Sequence, residues 1–174
     1  PFGKEINGFT ENSNPNFFGS SYSIVKGYTD MLLKNFSKDV LNLRIRMPIN
    51  SENNPRNFIT KITNYEKICS IPNSMTVLPD FFPIILDLIK KNTTGTFNLV
   101  NPGLISHNEI LEMYKNIVDN DFKWKNFTVD EQDEILDGKR SNNFLETKKI
   151  EELDPNLLHI KDSVRKILKN YVLV

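Results

Sequence analysis

Between residues 16 and 34 the chain reads NFFGSSYSIVKGYTDMLLK, and Ile24, Val25, Tyr28, Met31, Leu32 and Leu33 recur at helical spacing. Gly19 supplies a turn and Ser20 or Ser21 an N-cap, which predicts a helix with one face on a core. After Ser37-Lys38-Asp39 the run Val40 to Met47 (VLNLRIRM) has β character, the helix-to-strand step of an α/β fold. Residues 48–55 read as a loop, and residues 57–64 as a short helix with Phe58, Ile59 and Ile62 inward. Two short β pieces, 67–71 and 74–78, flank a turn at Pro72-Asn73. Asp80 is predicted to cap a helix reaching Lys91, with Pro83 in its first turn and Phe82, Ile85, Leu86 and Ile89 on its inner face. A short strand, 96–100, and the turn Asn101-Pro102-Gly103 follow. Ser106 with Glu109 is a capping box opening a helix over 106–118, and Thr128 with Glu131 is a second. Residues 140–143 read as a loop, 146–153 as a short helix, and 160–171 as a terminal helix with Val164, Ile167 and Leu168 inward. Residues 1–15, polar and punctuated by Gly3, Gly8 and Pro15, read as an extended loop. Strands are few and short and helices many, so the pattern predicts the closing half of a doubly wound α/β fold with a mostly helical lobe.

Length and charge narrow the function classes. At 174 residues the chain is one domain's worth, and 22 basic residues balance 22 acidic ones. Zero net charge with interspersed signs argues against a nucleic-acid or membrane surface. The apolar run Phe81 to Leu86 is broken by Pro83 and far too short to span a bilayer, and no signal peptide is evident. One cysteine, Cys69, excludes an internal disulfide and fits a reducing, cytoplasmic setting. With one Cys and two distant His there is no metal-binding constellation. The chain starts at Pro1 rather than methionine, which suggests a fragment or processed product. Its glycines, at 3, 8, 19, 27, 95, 103 and 138, form neither G-x-G-x-x-G nor a P-loop, so no pyrophosphate cradle of the usual kind is expected.

The candidate chemistry lies in the first helix. Tyr22 and Lys26, four apart, share one flank of its first turns. An ammonium beside a phenol near the positive end of a helix favours the tyrosinate, so such a tyrosine can exchange a proton with a sugar hydroxyl or ketone. By spacing alone, a helix tyrosine beside a surface lysine is the more ordinary explanation of the pair. Lys61 by composition is a solvated lysine, and Arg44 and Arg46 alternate with Leu43 and Ile45 as on an ordinary strand with one partly polar face. His107, after the capping Ser106, is expected to be exposed and without catalytic duty, and His159 is a poor candidate too. Trp124 with Phe122 and Phe127 reads as packing rather than a base-stacking platform.

Read as a string, the blocks NFFGSSYSIVK (16–26), RIRMPI (44–49), NNPRNFITKI (53–62), IPNSMTV (71–77), NPGLISHNEILEMYKN (101–116), FKWKNFTVDEQ (122–132) and RSNN (140–143) span almost the whole chain. In that order they resemble the C-terminal part of the bifunctional nucleotide-sugar 3,5-epimerase/4-keto-reductases of UDP-rhamnose synthesis. These are extended short-chain dehydrogenase/reductases related to dTDP-4-dehydrorhamnose reductase. The resemblance implies a Rossmann-type C-terminal half, residues 1–48 closing the dinucleotide domain and 49–174 forming a substrate lobe with returning Rossmann elements, the N-terminal dinucleotide-binding half being absent. It implies NADPH as cofactor, with NADH as the alternative, and a UDP-sugar as partner. A homodimer is one way of covering the apolar edge left by the missing half. Tyr22 becomes the proton donor to the C4 alkoxide, Lys26 holds the nicotinamide ribose, and Met47 and Pro48 lie beside the nicotinamide. Lys61 becomes the epimerase acid, working opposite a cysteine base that belongs upstream of Pro1; Cys69 is at the wrong place to replace it. Arg46, Asn57, Arg140 and Asn142 fall to the substrate, although a loop-capping role for Arg140 and Asn142 stands beside that reading. Reduction of a dTDP- or GDP-linked keto-sugar, or a regulatory relative without catalysis, are the alternatives.

Overall fold

The computed structural model describes residues 8–135 and 141–171. Helix α1 (Ser21–Asn35) leads to strand β1 (Leu41–Arg44) and then to β2 (Pro48–Ile49) and α2 (Phe58–Thr63). Strand β3 (Thr76–Val77) runs directly into α3 (Leu78–Lys90), followed by β4 (Gly95–Asn98) and α4 (His107–Ile117). Short α5 (Val129–Ile135), α6 (Lys148–Leu153) and α7 (Ile160–Leu168) complete the order. Strand β1 pairs in parallel with β4, Leu41 opposite Gly95 and Arg44 opposite Asn98, while β2 pairs in parallel with β3. Parallel neighbours joined by helical crossovers confirm the α/β class.

Two apolar clusters organise these elements. Phe81, Ile84 and Leu88 of α3 close over Phe97 and Leu99 and meet Ile150 of α6, with Leu41 and Leu43 of β1 at the margin. The larger cluster joins Ile49 and Val77 of the second sheet to Ile59 and Ile62, to Ile110, Leu111 and Tyr114, and to Ile160, Val164, Ile167 and Leu168. Thr76 links the sheets: its hydroxyl accepts from the Arg46 amide at 2.9 Å and donates to the Leu99 carbonyl at 2.6 Å.

The elements expected from the pattern recur with shifted edges. The run 40–47 is strand only over Leu41–Arg44, and the loop expected at 48–55 begins with β2. Residues 67–71 form no strand: Ile68 makes an isolated bridge to Asn126. Both capping boxes form, at Ser106–Glu109 and at Thr128–Glu131. Asp80, however, does not cap α3. That helix starts two residues earlier, at Leu78, without a side-chain cap, and the Asp80 carboxylate instead accepts from Asn101 and Ser163.

The buried faces of α1 and α3 also differ from expectation. In α3 the core takes Phe81, Ile84 and Leu88, while Phe82, Leu86 and Ile89 are exposed. Both sets have helical spacing, and periodicity does not say which is covered. In α1 the one buried residue is Gly27. A Cβ there would stand 2.8 Å from the Phe18 ring and 3.3 Å from Pro15, so the absent side chain lets the preceding loop pass beneath the helix. Val25, Tyr28 and Leu32 form a stripe with each residue more than half exposed. The helix is held by polar ties instead: Asp30 takes a two-pronged bond from Arg44 of β1, and Lys34 reaches the Asn12 and Ser13 carbonyls. Among the described residues β1 pairs only with β4, so its other edge carries no strand.

Candidate active site

Ser20 caps α1 through a reciprocal pair with Ser23, which places Tyr22 and Lys26 in the first two turns. The Lys26 ammonium stands 5.9 Å from the Tyr22 ring centroid, and both side chains are exposed. The four-residue spacing has therefore produced the expected juxtaposition, open to a ligand.

Arg46 lies just beyond β1. Its guanidinium donates to the Asn73 side-chain oxygen at 2.9 Å and to the Ser141 carbonyl, while its Nε has no protein partner. Burial pushes this guanidinium down to about 10, partly offset by its attraction to the Tyr22 phenolate. Arg46 thus stays cationic at neutral pH and lies within electrostatic reach of Tyr22. The next residue, Met47, has φ of +43°, a conformation rare for a residue with a side chain. Strain of this kind costs about 1–3 kcal/mol and tends to collect where a chain must present groups at a fixed angle. Here it lets the backbone turn from β1 into β2 with Pro48 leading the second strand.

Asn73, fully buried, is the hub that sequence reasoning missed. The sequence pattern marks it only as a turn residue, yet its oxygen accepts from Arg46 and from the Asn143 amide, and its nitrogen donates to the Ile71 carbonyl and to the Asn142 side-chain oxygen. Arg46 and Asn142, 96 positions apart, meet through it. An Asn in a Pro-Asn turn gave no signal of this role; only the fold brings 141–143 beneath the strand end.

Asn57 is different from expectation. Its oxygen accepts from the amides of Ile59 and Asn50, and its nitrogen donates to the Asn50 and Glu52 carbonyls. All of its hydrogen-bonding capacity caps α2 and closes the preceding loop, so it has nothing left to offer a ligand. Lys61 is exposed on α2, one turn after Phe58. Arg140 lies outside the described residues. Cys69 is buried, and among the described residues no group of His, Cys, Asp or Glu is arranged to hold a metal.

His107 corrects a second expectation. Rather than being exposed, it is half-buried at the start of α4, its Nδ1 donating to the Cys69 carbonyl at 2.7 Å and its ring tilted against Phe58 at 5.3 Å. Because a carbonyl can only accept, Nδ1 carries the proton and Nε2 keeps a lone pair; Nε2 is buried with no protein partner. Burial and the Arg46 charge hold its pKa below the usual imidazole value despite the opposing bond to Cys69, so the ring is neutral at pH 7.

A UDP-rhamnose synthase from Acanthamoeba polyphaga mimivirus superposes with a TM-score of 0.92 at 53% identity, over 94% of this chain and 57% of that one. A bifunctional dTDP-4-dehydrorhamnose 3,5-epimerase/reductase of Arabidopsis thaliana is 50% identical over 97% of the chain and 56% of its own length. The chain is a homologue of these nucleotide-sugar epimerase/reductases. It also matches, at 52% identity over 91% of its length, 24% of a trifunctional Arabidopsis enzyme that combines a UDP-glucose 4,6-dehydratase with the epimerase and reductase. A dTDP-4-dehydrorhamnose reductase from Clostridium acetobutylicum, at 18% identity and a TM-score of 0.71, shares the fold. A Bacillus anthracis reductase of the same fold was solved with NADP. No protein-family model matches the chain. The chain spans little more than half the length of the mimivirus protein and the bifunctional enzyme. Among the described residues no helix is long and apolar enough to cross a membrane.

Proposed function

We propose that this chain is the C-terminal, substrate-facing portion of an NADPH-dependent nucleotide-sugar 3,5-epimerase/4-keto-reductase that converts UDP-4-keto-6-deoxyglucose to UDP-rhamnose. The observation that carries the reading is the 53% identity and near-superposition with the mimivirus UDP-rhamnose synthase, with Tyr22 and Lys26 side by side on α1. Residues 1–48 then close a dinucleotide-binding domain and 49–174 form the substrate lobe, with α3 and β4 returning to the first sheet. The open edge of β1 and the apolar stripe of α1 are where the dinucleotide-binding portion packs.

The residues present fit one end of NADPH only. Tyr22, Lys26, Met47 and Pro48 would meet the nicotinamide and its ribose, whereas the seven glycines provide no cradle for the pyrophosphate. NADPH, when bound, supplies the hydride to C4. Tyr22 donates its phenolic proton to the oxygen that becomes negative as C4 is reduced, and the Lys26 and Arg46 charges stabilise the phenolate left behind. For epimerisation, Lys61 returns a proton to the face of the sugar opposite the base. Arg46 and Asn142, held together by Asn73, line the substrate side.

A second reading, a thymidine-linked keto-sugar as substrate, is favoured by the name of the bifunctional Arabidopsis relative. The test is NADPH oxidation with UDP- and dTDP-4-keto-6-deoxyglucose, using this chain joined to or mixed with a dinucleotide-binding portion from the mimivirus relative. Turnover with the UDP-sugar, lowered about 10²–10⁴-fold by Tyr22→Phe, is expected for loss of a general acid. Unchanged turnover in that variant would refute the catalytic role of Tyr22, and faster turnover of the dTDP-sugar would move the chain to the second reading.

A further inference from the structure

Two segments of the lobe are tied at one point and leave a pocket beyond it. The Ile68 amide donates to the Lys125 carbonyl at 2.8 Å and the Phe127 amide to the Ile68 carbonyl at 3.2 Å. Past this bridge, residues 69–72 and 126–129 line a pocket of about 390 Å³. Asn108 of α4 joins both walls: its backbone amide donates to the Ser70 Oγ at 3.0 Å, and its Oδ1 accepts from the Trp124 Nε1 and the Asn126 Nδ2, each at 3.0 Å. An indole N–H can only donate, so the Asn108 atom it meets is the oxygen, and the Asn126 atom facing that oxygen is the nitrogen. Both side-chain amides are thereby oriented. Asn108 Nδ2, a donor, and Asn126 Oδ1, an acceptor, have no hydrogen-bond partner among the described residues, and both residues line the pocket. Resting on the function proposed above, we propose that this pocket takes the pyrimidine base of the nucleotide-sugar by its imide edge: Asn108 Nδ2 donates to a ring carbonyl and Asn126 Oδ1 accepts the N3 proton.

The lining agrees with a base rather than with the other parts of a nucleotide-sugar. Among the described residues that line the pocket none is charged, so nothing there neutralises a diphosphate. Ile71, Pro72 and Phe127 give apolar surface for a flat ring, whereas a sugar would need partners for several hydroxyls. Uracil and thymine carry the same imide edge, so the assignment holds for a UDP- and a dTDP-linked substrate alike. The pocket adjoins the candidate site through the chain itself. Ile71 and Pro72 of its wall lead directly into Asn73, whose Nδ2 donates to the Ile71 carbonyl at 3.2 Å while its oxygen holds Arg46. A base seated in the pocket leaves the sugar to extend along that hub. Asn108 and Asn126 act here in binding and specificity and transfer no proton in the reaction.

Trp124, the one tryptophan of the chain, is bonded to Asn108, so its fluorescence reports on the pocket. UMP, N3-methyl-UMP and inorganic pyrophosphate are titrated into the 174-residue chain. The expected result is a saturable Trp124 response to UMP and none to pyrophosphate, with binding about tenfold weaker for N3-methyl-UMP, and for UMP in Asn126→Ala. Asn126 is exposed, so its replacement leaves the fold intact, and the wild-type comparison of UMP with N3-methyl-UMP needs no variant at all. In the chain joined to a dinucleotide-binding portion from the mimivirus relative, Asn126→Ala should raise the KM for the UDP-sugar about tenfold with kcat unchanged. Equal binding of UMP and N3-methyl-UMP, or no Trp124 response to UMP, would overturn the base assignment. An unchanged KM in an active joined enzyme would overturn it too and leave the proposed function standing. The expected UMP pattern in an enzyme that turns over neither nucleotide-sugar would uphold the base pocket and overturn the proposed function.

Discussion

The tie between Asp30 and Arg44 decides whether α1, which carries Tyr22 and Lys26, stays against β1. The Asp30 Oδ1 accepts from Arg44 Nε at 2.7 Å and from Asn42 Nδ2 at 2.9 Å, and Oδ2 accepts from Arg44 Nη2 at 2.7 Å. The two side chains are 14% and 17% exposed, intermediate between a surface pair worth about 0–1 kcal/mol and a buried one whose disruption costs about 3–5 kcal/mol. Charge-assisted bonds of about 1.5–3 kcal/mol set the scale, so Asp30→Asn, which keeps the shape and removes the charge, should cost about 2 kcal/mol. For a domain of this size that is a fall of about 4–8 °C in Tm. Urea unfolding of the wild type, Asp30→Asn, Arg44→Met and the double variant gives the coupling, expected at about 1–2 kcal/mol. A coupling under about 0.5 kcal/mol, within the ordinary error of additivity, would refute the argument.

The same pair has a pH signature. Burial pushes the Asp30 carboxyl up, but hydrogen bonds from Arg44 and Asn42 and the Arg44 charge outweigh it and hold the pKa below its ordinary value. A carboxylate depressed in the folded state stabilises fully above its unfolded pKa, about 4, and loses that contribution as pH falls through the folded value. Wild type and Asp30→Asn should therefore differ at pH 7, begin to approach each other below about pH 4, and converge only once pH has fallen through the lower folded value. A difference that does not change with pH would show that packing, not charge, is what the substitution removes.

Two further substitutions test the lobe. Gly103 has φ of +88°, and a Cβ there would fall 2.0 Å from the His159 Nε2, so Gly103→Ala should lose at least about 2 kcal/mol of unfolding free energy. Adding His159→Ala should recover the steric part and leave the backbone part, about 1–2 kcal/mol. Ser106→Ala removes a reciprocal cap of α4, whose Oγ accepts from the Glu109 amide at 3.2 Å. It should lower the urea midpoint by the equivalent of about 1 kcal/mol with an unchanged slope.

Where a role depends on neighbours in sequence, the chain itself declared it. The caps at Ser20, Ser106 and Thr128 form as their spacing requires, because capping is a bond between residues three apart. Tyr22 and Lys26 meet for the same reason, the helix repeat. The string of motif blocks likewise points to the reductase relatives without reference to the fold. Tertiary structure alone decided which of two apolar stripes α3 buries, since Phe81 with Ile84 and Phe82 with Ile89 satisfy the periodicity equally. It also turned Asp80 from a cap into a partner of Asn101 and Ser163, and spent the whole amide of Asn57 on its own loop. The hub at Asn73 exists only because residues 46, 73 and 141–143 meet in space, and the tautomer of His107 is set only because Cys69 and Phe58 reach it. Local bonds are written in spacing, whereas burial and long-range pairing depend on what the folded chain brings to each surface.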